Sequence, residues 1–147
     1  MRRSKIKQFA HLVWAVKHRE KRLTPELERQ VHRCITDLAE GMGCVVKAIG
    51  GMEDHVHVLL WMPATVAPAD VIKKIKGVSS AMVNDLQNHE HYFRWQEHYA
   101  LYSVSIWNVP KVTAYILNQK QRHADNTVIV ILEEVDEDAP EPAEKVE

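Results

Sequence analysis

The chain has 147 residues, 46% of them hydrophobic and 27% charged, with a formal net charge of −1. That length suits one domain with a core rather than two, and no apolar run approaches the roughly 20 residues of a membrane span. The basic start MRRSKIKQFA lacks the apolar stretch of a secretory signal, so a cytoplasmic protein with no membrane partner is expected.

FAHLVWAVK (9–17) reads as a strand. Thr24-Pro25 opens a helix, with Thr as N-cap and Pro at the first helical position. Leu27, Val31, Ile35, Leu38 and Met42 follow at helical spacing, and Gly43 ends the run. Strands are predicted over 44–51 and 55–62, joined tightly at Met52-Glu53-Asp54. A second helix spans Pro68 to Leu86, a fourth strand 98–106, and a third helix starts at Asn108–Pro110 and reaches His123. TVIVIL (127–132) reads as a short final strand or an arm to a partner. Cys34 and Cys44 form neither a CxxC pair nor a disulfide framework and are expected as free thiols.

From Glu133 to Glu147 the chain holds eight acidic residues and one lysine. Residues 1–132 keep 18 basic and 12 acidic residues, about +6, with eight basic residues in the first 22. One domain over 1–132 with a disordered acidic tail over 133–147 is therefore expected. A basic body of this kind suits a nucleic-acid partner, and a tethered acidic segment would compete with nucleic-acid phosphates.

The first six elements follow the split βαβ order of an α+β, ferredoxin-like fold: an antiparallel sheet with two helices on one face. The third helix is extra and can lie across the other face. On a strand, His55 and His57 point to one face and Val56 to the other, so both imidazoles can converge on a divalent ion. On the third helix, Tyr115 and Gln119 are one turn apart, and Asn118 is close by. A tyrosine becomes a nucleophile when positive charge polarises the phosphate it attacks. The Gln119 oxygen suits magnesium or manganese. In the second helix, Lys73, Lys74 and Lys76 with Ser79 and Ser80 are candidate DNA contacts, as are Arg2 and Arg3. Gly77 there suggests close approach by another group, such as a backbone.

LVWAVKHREKRLTPE (12–26), GGMEDHVHVLLWMP (50–63), IKKIKGVSSAMVND (72–85), RWQEHYALYSVS (94–105) and AYILNQKQRH (114–123) together resemble the single-tyrosine HUH transposases of the insertion-sequence-200-like family. That family includes the REP-associated tyrosine transposases. The likeness covers about residues 4–126, with the segments in the family's order.

The resemblance implies a ferredoxin-like fold, a homodimer and a divalent metal ion, Mg2+ or Mn2+. It implies His55 and His57 as ligands with Gln119 as the third, and Tyr115 as the nucleophile. The implied substrate is single-stranded DNA with hairpins, cut to leave a 5′-phosphotyrosine and a free 3′ hydroxyl. In relatives the tyrosine helix can complete the partner subunit's site. Unpaired bases would stack on aromatics such as Trp61, Trp95, Tyr99 and Trp107. The alternative is a non-catalytic hairpin-binding protein. A hydrolase using a water nucleophile would leave Tyr115 without a role.

Overall fold

Alternation along the strands decides which side chains face which layer. The computed structural model describes residues 4–135. Its strands are β1 (Phe9–Ala15), β2 (Val45–Met52), β3 (His55–Trp61) and β4 (Ala100–Val104). They form one antiparallel sheet in the order β2-β3-β1-β4, which is the expected ferredoxin-like arrangement.

Ala10, Leu12 and Trp14 of β1 and Val56, Val58 and Leu60 of β3 face one layer. There they meet α1 (Pro25–Gly41) through Leu27, Val31 and Ile35, and α2 (Pro68–Leu86) through Val71, Ile72, Ile75 and Val83. Thr24 caps α1 by accepting from Leu27 N at 3.4 Å, and Gly43 leaves it with a φ of 90°, a conformation glycine adopts freely. Cys34 and Cys44 are free thiols. No helix among the described residues is long and apolar enough to cross a membrane.

The other face carries a smaller apolar cluster, Phe9, Ala48, Leu59, Tyr115 and Ile116. It is covered by α3 (Val109–Leu117), which packs on β2 and β3. The predicted third helix is not continuous. It breaks at Asn118 (φ −101°, ψ 18°), and α4 (Gln119–Ala124) follows. The Asn118 side chain donates to Ala114 O at 2.8 Å, a local bond that competes with helix continuation.

TVIVIL is not a strand either. Asn126, at φ 55°, follows α4, and Thr127 N donates back to Arg122 O at 2.9 Å. The chain then crosses the α3 face and forms a single turn, α5 (Val130–Glu133). Tertiary contacts override its β propensity: Ile129 N donates to Tyr115 Oη at 3.1 Å and Tyr102 Oη to Ile131 O at 2.6 Å. Glu133, which the sequence places at the head of the acidic tail, thus belongs to α5. Residues 136–147, and Arg2 and Arg3, lie outside the described residues.

Candidate metal centre and tyrosine site

β3 sets His55 and His57 on the α3 face, where both are buried, with ring centroids 5.1 Å apart. Each ring is held from behind. Asp54 Oδ1 lies 2.6 Å from His55 Nδ1, and His11 Nε2, on the neighbouring strand, lies 2.9 Å from His57 Nδ1. Both rings therefore turn Nε2 toward the same point.

α3 and α4 bring the other groups to that point. A Cβ at Gly50 of β2 would collide with the backbone carbonyl of Ile116, so glycine there lets α3 lie directly on the sheet. This close approach buries Tyr115 and Gln119. The Tyr115 and His57 ring centroids are 5.9 Å apart, and the Arg122 guanidinium lies 4.7 Å over the tyrosine ring. Gln119 Oε1 is 3.2 Å from His55 Nε2 and 3.1 Å from His123 Nε2. The helix break at Asn118 leaves Tyr115 and Gln119 on one site.

Glu133 reaches into the middle of this group. Its Oε2 is 2.9 Å from His55 Nε2 and 3.0 Å from His57 Nε2. Its Oε1 accepts from Gln119 Nε2 at 2.9 Å and from the Tyr115 hydroxyl. Arg19 anchors the same residue by donating to its backbone oxygen at 2.7 Å. One ligand atom from each of His55, His57 and Glu133 lies within 4.8 Å of the others. Two imidazole nitrogens and a carboxylate oxygen, with an amide oxygen adjacent, are a donor set that fits a divalent cation.

The electrostatics follow from this crowding. Burial works against charge on His55, but hydrogen bonds to Asp54 and Glu133 outweigh it and raise the pKa to about 9. His57 moves down, because burial dominates. Burial would raise the Glu133 carboxyl, yet the hydrogen bonds from His55 and His57 hold it far below the usual carboxylate range. Burial and the Glu133 hydrogen bond push the Tyr115 phenol up to about 12. With Glu133 in place, the tyrosine is a protonated donor.

The α2 candidates lie on the opposite face of the sheet. Lys73 and Lys74 are exposed. Lys76 instead donates to the backbone oxygens of Gln96 and His98. Ser79 is fully buried and accepts from Trp95 Nε1 at 2.9 Å, so it is no surface contact for DNA: it ties α2 to the WQ segment. Ser80 donates to Gly77 O at 3.1 Å, within its own helix. Nothing lies within 4 Å of a Cβ built at Gly77, so no described residue of this chain makes a close approach there. Of the aromatic candidates, Trp95 is core, whereas Trp107 is 86% exposed. Sequence reasoning missed His11 and Glu133. His11 left a signal, a histidine on the inward side of an apolar strand. Glu133 left none among eight tail acids.

Known proteins share this architecture. The family model described as "Transposase IS200 like" matches residues 4–119. The ISDra2 transposase TnpA of Deinococcus radiodurans is 36% identical over 70 residues, which are 48% of this chain and 50% of that protein. The match thus spans about half the length of that curated relative. The crystal structure of a candidate transposase from Deinococcus radiodurans R1 superposes with a TM-score of 0.64 at 28% identity, covering 81% of this chain and 98% of the other. A REP-associated tyrosine transposase bound to a REP hairpin shares the fold, with a TM-score of 0.63 at 14% identity, covering 87% of this chain and 74% of the other. With that match running through β1, both histidines, Tyr115 and Gln119, the chain belongs to the IS200-like transposase family.

Proposed function

We propose that this protein cuts and rejoins single-stranded DNA at hairpins, with Tyr115 as the nucleophile and a divalent ion, Mg2+ or Mn2+, at His55 and His57 with Gln119 as third ligand. The observation that carries this reading is the convergence of both Nε2 atoms, the Gln119 oxygen and the Tyr115 hydroxyl on one buried point. A divalent ion held there supplies positive charge to the phosphate and its leaving oxygen.

Tyr115 Oη attacks the phosphorus and loses its proton. The bond to the 3′ oxygen breaks, that oxygen leaves as a 3′ hydroxyl, and the 5′ phosphate stays on the tyrosine. A 3′ hydroxyl attacking the phosphotyrosine reverses the step and rejoins a strand. Arg122, over the tyrosine ring, favours negative charge on the phenol oxygen. Glu133 occupies the point that a phosphate oxygen must reach, so the 126–135 segment moves aside when DNA enters. The carboxylate stands in for phosphate at rest: an anion held by His55, His57 and Gln119.

The family resemblance supports a homodimer, and the hairpin bound by the REP-associated neighbour supports hairpin DNA as the substrate class. Lys73 and Lys74 are left as phosphate contacts remote from the chemistry. The test is incubation of the full chain with a 5′-labelled and, separately, a 3′-labelled hairpin oligonucleotide in Mn2+. A covalent adduct retaining only the label 3′ of the cut supports the reading. Tight hairpin binding without any adduct would favour the non-catalytic hairpin-binding alternative.

A further inference from the structure

His11 sits on β1 between β3 and β4, 1% exposed, its ring tilted against Tyr102 at 5.9 Å. Its Nε2 is 2.9 Å from His57 Nδ1, while His57 Nε2 turns to the donor cluster. A hydrogen bond between two imidazoles needs one proton and one lone pair, so the tautomer of one ring sets the tautomer of the other. When His57 gives its Nε2 lone pair to a cation, Nδ1 carries the proton and requires an acceptor. The acceptor that the fold provides is His11 Nε2.

We propose that His11 is a positioning residue for the metal centre: it accepts the Nδ1 proton of His57 and holds that ring with its Nε2 lone pair toward the ion. The inference rests on the reading of His57 as a ligand. The arrangement parallels Asp54 behind His55, 2.6 Å from Nδ1, because outer-shell partners fix the tautomer and orientation of a ligating imidazole. The two supports differ in charge. The Asp54 carboxylate strengthens His55 as a donor, whereas a neutral imidazole behind His57 leaves more of the cation's charge for a phosphate. An imidazole also serves both states of the site. While Glu133 accepts from His57 Nε2, Nδ1 is the acceptor and His11 the donor. A glutamine at 11 keeps both roles by turning its amide, and a leucine fills the space with neither.

The experiment compares Mn2+ affinity, read by electron paramagnetic resonance, for the full chain and its His57→Ala, His11→Leu and His11→Gln variants. His11→Leu is expected to weaken Mn2+ binding by about 10- to 100-fold, with His11→Gln restoring it to within about threefold. A chain that only needs the volume filled would bind Mn2+ equally well with leucine, and that result overturns the proposal while leaving His57 a ligand. If His57→Ala binds Mn2+ like the unaltered chain, the ligand reading fails and the proposal fails with it. Should His11→Leu not fold, nitrogen-15 histidine spectra of the unaltered, Mg2+-loaded protein decide. A proton on His57 Nδ1 with His11 Nε2 bare supports the proposal, and the reverse overturns it.

Discussion

Gly50 of β2 and the backbone carbonyl of Ile116 on α3 meet with no room for a side chain between them. Tyr115 immediately precedes Ile116 on that helix, so this contact sets the depth of the proposed nucleophile. Gly50→Ala must push α3 outward. The expected result is a loss of about 1–3 kcal/mol in urea denaturation, typical of overpacking. Adduct formation should fall further than stability alone accounts for. Full adduct yield in a folded Gly50→Ala protein would show that the site tolerates a displaced helix.

Tyr115→Phe removes one oxygen from a ring that stays packed against His57 and Arg122. The lost bonds are those to the charged Glu133 carboxylate and to Ile129 N, so stability should fall by about 1.5–3 kcal/mol. Hairpin binding in a gel-shift assay should persist, and the covalent adduct should disappear. An adduct that survives this substitution would point to another nucleophile.

The pH dependence has a definite sign. In the metal-free protein His55 is raised from 6.5 to about 9, so its contribution to stability is complete below about pH 6.5 and is lost as pH rises through about 9. A cation at Nε2 must displace that proton. Metal affinity is therefore expected to rise with pH up to about 9, by up to about tenfold per unit, with one proton released. Titration calorimetry in two buffers of different ionisation enthalpy counts that proton. Binding that does not vary with pH would mean that no proton is displaced from His55. Chelation should abolish cleavage, and His55→Ala or His57→Ala should do the same in a folded protein.

Much of this was legible because it depends on local periodicity. Alternation placed His55 and His57 on one face, and the Thr24 cap and the Pro68–Leu86 stripe gave helices close to those observed. The positions of Lys76 and Ser79 were legible, but their partners were not, because a lysine on a helix looks the same whether it meets phosphate or the backbone of Gln96. The path of 127–133 depends on contacts between distant residues, Tyr102 with Ile131 and Tyr115 with Ile129. No window of sequence carries that information.

Within one chain Tyr115 already stands beside His57. If the proposed site works as it stands within one chain, it gains nothing from a partner's helix. Mixing His57→Ala with Tyr115→Phe protein should therefore restore no adduct, even where subunits are shown to exchange. Restored adduct would mean that α3 serves the partner's site when DNA is bound.

Glu133 makes the sharpest distinction between a resting site and a working one. Its carboxylate is shared by His55, His57, Gln119 and Tyr115, and its hydrogen bond adds to burial in pushing the phenol pKa up to about 12. If it stands in for phosphate, Glu133→Gln removes the competing anion and lets the phenol ionise more readily. Charge-assisted hydrogen bonds of this kind are worth about 1.5–3 kcal/mol, so hairpin binding and adduct rate at limiting Mn2+ should rise by about tenfold. Truncation after Leu132 should act in the same direction, with its largest effect at low salt, where acidic residues compete best with DNA phosphates. A carboxylate needed as a metal ligand or as the base for Tyr115 predicts the opposite, weaker Mn2+ binding and a slower reaction in both variants. Measuring Mn2+ affinity alongside adduct rate separates the two roles: unchanged or tighter metal binding with faster adduct formation marks Glu133 as the occupant that DNA displaces.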